Sequence, residues 1–265
     1  MSRYENYRFL KIEVSNRVAT VTLNRPEVRN AANGGMLDEL RSIWTDLADD
    51  REVNAVVLTG AGESFCVGGD INQMAGGDFG KEGEVVDFAQ GLRMINGLLE
   101  LDKPIVCAVN GDAVGLGASL ALLCDIAVMA EEGRIGDPHV RMGLVAGDGG
   151  ALIWPLLMGV NRAKEYLMRG LLIKAVEAER LGLVNHVAPR AEVYPRALEI
   201  AQELADGATW AIRWTKLSIN AVLKERANLT QLSALGLEHV AMHTQDHREA
   251  ARAFKEKRKP QFTGR

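Results

Sequence analysis

Three short stretches of this chain combine residue types that can do chemistry. In 137–155, DPHVRMGLVAGDGGALIWP, His139 and Asp148 stand nine residues apart, with Pro138 and the glycines Gly147, Gly149 and Gly150 marking irregular backbone around them. An imidazole oriented by a carboxylate is the usual build of a general base, because the acid fixes the tautomer and stabilises the imidazolium. The same residues also suit simpler roles: Asp148 can cap a helix beginning at Gly149, and a loop histidine can be satisfied by its neighbours. In 64–71, SFCVGGDI, two consecutive glycines precede Asp70. Lacking Cβ, they let the backbone approach a ligand closely, or simply make a tight turn. In 110–119, NGDAVGLGAS, a glycine-rich segment opens an apolar helix. The first N–H groups of a helix lack intrahelical partners and lie at the positive end of its dipole, so this end suits developing negative charge. Close helix packing would use the same glycines.

These stretches need elements to position them. Residues 9–14 and 17–23 alternate apolar and polar about Ser15-Asn16, which predicts a β-hairpin. Met36, Leu37, Leu40, Ile43, Trp44 and Leu47 recur at helical spacing over 36–48. The apolar runs 54–59 and 105–109, each ended by a turn signal, predict buried strands. Helices are expected over roughly 84–100, from 116, over 161–169 and over 175–181, with strands at 125–129 and 183–187. From about 191 the pattern is helical throughout: 191–206, 208–224, 229–243 and 246–257. Strands alternating with helices specify an α/β core. The expected division is a core over 1–190 and a helical oligomerisation region over 191–265, the helices packing on the core or on a neighbouring subunit.

Composition excludes several classes. The chain has 265 residues, 47% apolar and 25% charged, with a net charge of −4. These are values for a globular protein with a substantial core and no nucleic-acid surface. The apolar run 113–130 contains Asp125 and two glycines, so it reads as a buried helix and strand rather than a membrane span. The N-terminal residues are charged and carry no signal-peptide pattern. Cys66, Cys107 and Cys124 form no CxxC pair. They are expected to be buried thiols of a reducing, cytoplasmic compartment, with no metal site.

Taken together with LNRPEVRNAAN at 23–33 and REAARAFKEKRKPQF at 248–262, the order and spacing of these motifs resemble the crotonase (enoyl-CoA hydratase/isomerase) superfamily. The resemblance covers nearly the whole chain. It implies an α/β spiral of ββα units followed by a helical region that drives trimerisation, with trimers pairing into hexamers. It also implies an oxyanion hole from the N–H groups of Gly69 and Leu116. CoA contacts are implied for Arg25, Asn30 and Ala31, for Asp70 and Ile71, and for Phe254 and Lys257. No cofactor is implied beyond the CoA carried by the substrate. The loop 72–83 is expected to cover the acyl pocket.

The departures from the family pattern bear on reaction type. Family hydratases carry two catalytic glutamates, at positions that here hold Ser119 and His139. A histidine there, with an aspartate nine residues later, is similar to 6-oxocamphor hydrolase and related β-diketone hydrolases. The expected function is therefore an acyl-CoA enzyme working through an enolate. The alternatives are a C–C bond hydrolase of small dicarbonyl substrates using His139 and Asp148, and a non-catalytic CoA-binding paralogue.

Overall fold

The structure is a computed structural model that describes residues 3–71 and 88–265. The expected loop 72–83 and the start of the expected helix at 84 lie outside the described residues. Strands β1 (Leu10–Ser15) and β2 (Val18–Leu23) form the expected hairpin. Its two-residue turn is Asn16-Arg17, both at positive φ (48° and 66°), one residue later than the sequence signal. That geometry matches the strand twist.

Beyond β2 the sheet continues in parallel through β3 (Ala55–Gly60), β4 (Ile105–Val109), β6 (Ile126–Ala130) and β9 (His186–Ala188), in the order β1-β2-β3-β4-β6-β9. A central parallel strand is buried on both faces, which explains the continuous apolar runs of β3 and β4. One face presents Val18, Ala55, Val57, Val106, Ala108, Val128 and Ala130 to helix α7 (Arg190–Asp206). Its contact stripe, Val193, Ala197, Ala201 and Ala205, repeats every four residues and is made mostly of alanines, which lets the helix lie close to the sheet. The alternating residues of the same strands, among them Val21, Val56, Leu58, Cys107 and Met129, join the main core with α1 (Gly34–Asp49) and α2 (Phe88–Glu100).

A second sheet of three short strands positions the candidate site. In it β5 (Ala113–Val114) runs parallel to β7 (Arg134–Gly136), and β7 pairs antiparallel with β8 (Leu172–Lys174). Helix α3 (Leu116–Leu123) follows β5, and α4 (Gly150–Met158), α5 (Val160–Arg169) and α6 (Ala175–Arg180) fill the segment up to β9. The apolar run 113–130 thus resolves into β5, α3 and β6. No described helix is long and apolar enough to cross a membrane. Cys66 and Cys107 are buried and Cys124 is half-buried, all as free thiols.

One element differs plainly from expectation. The two helices anticipated over 208–224 and 229–243 are a single 34-residue helix, α8 (Thr209–Met242). No proline or glycine stands between 224 and 229 to break it. Its buried stripe, Lys216, Asn220, Ala227, Gln231, Ala234 and Glu238, keeps helical spacing across the expected gap. Helix α9 (Gln245–Lys255) follows, N-capped by the Thr244 hydroxyl.

Candidate active site

Three chain segments are laced side by side. Val114 N–H donates to Cys66 O at 2.9 Å, and Gly115 N–H donates to Gly136 O at 2.9 Å. The turn after Cys66, the start of α3 and the segment leaving β7 therefore lie against one another. Gly115, at φ 56°, fills the join: a β-carbon there would stand 3.4 Å from His139 Cε1 and 3.8 Å from Gly68 Cα. A side chain at this position would also be strained by the left-handed backbone.

The backbone N–H groups of Gly69 and Leu116 have no hydrogen-bond partner among the described residues. Ala32 bridges the 68–70 segment, with its N–H to Gly68 O at 2.8 Å and its carbonyl accepting from Asp70 N–H at 2.9 Å. In such a parallel bridge the N–H of the middle residue, Gly69, points to the opposite edge. Leu116 is the first residue of α3, so its N–H precedes the first helical bond, Ser119 N–H to Gly115 O at 3.0 Å. The Leu116 side chain is buried in the main core, away from the open end.

His139 opens a 3₁₀ turn, His139–Met142, directly after Asp137-Pro138. Asp148 does lie beside His139, but at Nε2, and a second carboxylate takes the other ring nitrogen. The carboxylate hydrogen-bonded to His139 Nδ1 is that of Asp137, whose Oδ1 also accepts His139 N–H at 3.3 Å. Asp148 lies across the ring, with Oδ2 3.5 Å from Nε2, and its Oδ1 accepts from the Ser119 hydroxyl at 2.9 Å. Nor does Asp148 cap α4, whose N-cap is Gly149 with no side-chain hydrogen bond. A third carboxylate arrives from α8: Glu238 Oε1 is 3.7 Å from Nε2. Ligand atoms of Asp137, His139 and Asp148 lie within 4.8 Å of one another, the spacing a small cation would use; Nδ1 is already engaged by Asp137.

Burial opposes charge on His139, but the surrounding carboxylates of Asp148, Asp137 and Glu238 outweigh it and hold the imidazolium to about 10. Burial, and then the neighbouring Asp148, push Glu238 up to about 8. Burial also raises Asp148, against the pull of His139. Both shifts favour the protonated forms of His139 and Glu238, from which either could donate.

The CoA residues implied by the resemblance divide. Asn30 is fully buried and its amide is committed: Nδ2 donates to Ala61 O, Ser64 O and Phe65 O at 2.9–3.1 Å, and Oδ1 accepts from Arg25 N–H at 2.9 Å. Arg25 turns inward to Asp70 at 3.0 Å and to Ala31 O. These two side chains are pegs of the 25–31 loop, whereas Glu27 and Arg29 of the same loop are exposed. Ala31 is buried and Ile71 half-buried. Phe254 and Lys257 are exposed at the end of α9, which packs on the 139–142 turn and on α8 rather than on the 25–31 loop.

Asp137 and Glu238 were missed from sequence. Asp137 stands two residues before His139, too close to suggest a partner by loop spacing. Glu238 gave no clear signal either: the buried stripe of α8 is itself mostly polar, with Lys216, Asn220, Gln231 and Glu238 on it, so no apolar periodicity marks the acid as unusual.

The profile of the enoyl-CoA hydratase/isomerase family matches residues 13–265. The chain belongs to that family. A short-chain-enoyl-CoA hydratase of Clostridium acetobutylicum is 37% identical to it over 257 residues, covering 94% of this chain and 95% of that protein. A crotonyl-CoA hydratase of Syntrophomonas wolfei is 35% identical over 269 residues, 98% of each. Among solved structures, an enoyl-CoA hydratase/isomerase from Mycobacterium paratuberculosis superposes with a TM-score of 0.86 at 34% identity, covering 92% of this chain and 97% of that one. Membership makes the protein a crotonase-family enzyme, and the fold matches the α/β core with helical C-terminal region expected of it.

Proposed function

We propose that the enzyme acts on an acyl-CoA thioester, stabilising the enolate with the N–H groups of Gly69 and Leu116 and moving protons through His139, Asp148 and Glu238. The observation that supports this reading is the lacing of three segments, which brings the chain next to Gly69 and Leu116 against the segment that carries His139. Donors fixed before reaction stabilise the developing oxyanion without reorganising, which is usually the largest single contribution to such catalysis. The two glutamates of family hydratases are absent at 119 and 139, but two carboxylates reach the same ring from elsewhere, on the 143–149 loop and on α8. Asp148, held by the Ser119 hydroxyl, is placed to accept a proton from water. Glu238 and His139 are placed to return one to the enolate carbon. Ile71, Ala31 and the 25–31 backbone would receive the CoA moiety, with Phe254 and Lys257 contributing from α9 of a neighbouring subunit. The exposed apolar residues Trp210, Trp214, Leu217 and Ile219 on α8 support a homotrimer or a pair of trimers.

A second reading is C–C bond hydrolysis of a β-diketone. In it water attacks one carbonyl and the carbon leaving group departs as an enolate held by the same donors. The inward turn of Arg25 and Asn30 favours it, because two side chains expected to recognise CoA are committed internally. Turnover of crotonyl-CoA, a cyclic enoyl-CoA and a β-diketone, followed by mass spectrometry, separates the two. The first reading expects a thioester to react. It also expects Gly69→Pro, which deletes one donor, to slow that reaction about 10²-fold or more with native circular dichroism. Cleavage of the diketone alone would establish the second reading, and an active, folded Gly69→Pro would remove Gly69 from the oxyanion hole.

A further inference from the structure

The segment Asp137-Pro138-His139 is a self-contained device. One carboxylate oxygen of Asp137 accepts both the backbone N–H of His139 and its ring Nδ1–H, an Asx-turn closed by the side chain it orients. Pro138 sits between them with its backbone angle restricted by its ring, which stiffens the unit. The Asp137 side chain is completely buried. Its second oxygen, Oδ2, has no hydrogen-bond partner among the described residues. That oxygen is pressed against the first residue of α4: a β-carbon on Gly150 would lie 2.0 Å from it. The carboxylate thus lies against the first turn of the nine-residue α4.

We propose that Asp137, rather than Asp148, is the positioning residue for His139: it fixes the proton on Nδ1 and so aims Nε2 at Asp148 and Glu238. Its position follows from three facts. Among the described residues Nδ1 has one partner, Asp137. Asp148 stands at the wrong nitrogen to set this tautomer, 3.5 Å from Nε2. Asp148 is also held from its far side by Ser119, so it can exchange a proton at Nε2 without losing its own orientation. Among the described residues the hydrogen bonds of the Asp137 side chain all go to His139, so it acts through the ring. It is the member of the cluster that turns a buried histidine into a directed one.

The inference rests on the catalytic reading only for its kinetic arm; its spectroscopic arm is independent of which substrate reacts. In ¹⁵N-histidine-labelled wild type, His139 should carry its proton on Nδ1 throughout the range in which the ring is neutral. Asp137→Asn should allow the other tautomer, because the asparagine amide can donate to Nδ1 instead of accepting from it. Asp148→Asn should leave the tautomer unchanged. In the kinetic arm, Asp137→Asn should lower kcat about 10²–10⁴-fold with KM nearly constant, because the ring loses the carboxylate that aims Nε2 and supports its charge. It should also move the alkaline limb of the pH profile to lower pH, and should cost little more in a His139→Ala background. A wild-type ring protonated on Nε2 when neutral would overturn the proposal whether or not any variant folds. So would a tautomer that follows Asp148→Asn, or an Asp137→Asn loss that persists in full once His139 is gone.

Discussion

At the scale of residues, the site is an excess of carboxylates around one ring. Glu238 shows what that costs. Its folded pKa, about 8, lies above the ordinary 4.5, so the folded protein binds a proton that the unfolded chain has released. Stability therefore falls as pH rises from about 4.5 to about 8, and the contribution is complete only below that window. Glu238→Gln removes the effect. The difference in melting temperature, variant minus wild type, should grow across that pH range and level off above it, while turnover drops about 10²–10⁴-fold at neutral pH. A difference that stays flat with pH would show that Glu238 is not held protonated. His139 has the same sign over a higher window: its raised pKa contributes stability present below about 6.5 and lost toward about 10. His139→Ala should abolish that alkaline loss, read from melting curves between pH 6 and 10, and slow the chemical step by a similar 10²–10⁴-fold. His139 and Asp148 were legible in the sequence as an unusual pair. Their roles were not, because spacing cannot tell which ring nitrogen a carboxylate will meet.

At the scale of elements, the site depends on strands only two or three residues long. β5, β7 and β8 are too short to show any periodicity, so the sequence announced the glycines around them but not the sheet that aligns them. The long strands and the hairpin were readable because apolar runs and alternation extend over five or six residues. The placement of α4 against Asp137 yields a sharp contrast between two glycines. Gly150→Ala would drive a methyl into the Asp137 carboxylate, so it should destabilise by about 1–3 kcal/mol and cut turnover. Gly236→Ala, on α8 with nothing within 4 Å of the added carbon, should stabilise by up to about 1 kcal/mol and leave turnover unchanged. Denaturant titrations of both variants check this, and a neutral Gly150→Ala would mean that Asp137 has room the structure does not show.

At the scale of the whole molecule, α8 joins two surfaces that a sequence reading kept apart. Its inner stripe holds the active-site loop, with Gln231 Nε2 donating to Gly147 O and Glu238 facing His139, and α9 adds His247 Nδ1–H to Met142 O at 2.8 Å. Its outer side leaves Trp214, Ile219 and Val222 on an open groove of about 1160 Å³ shared with Leu156 and Leu157 of α4. The polar stretch 225–228 looks like a connection between two helices until the buried stripe is followed through it. Light scattering at micromolar concentration should give three or six times 28.8 kDa. Ile219→Lys should shift that mass downward; a wild-type mass of one chain would refute assembly through this face. The reach of α8 also bears on how the protein is made. During synthesis the strands, both backbone donors and His139 leave the ribosome well before residue 238, so a nascent chain can fold its sheet while its histidine still lacks one of its acids. The 3.7 Å approach of Glu238 to the ring exists only once α8 has been made and packed.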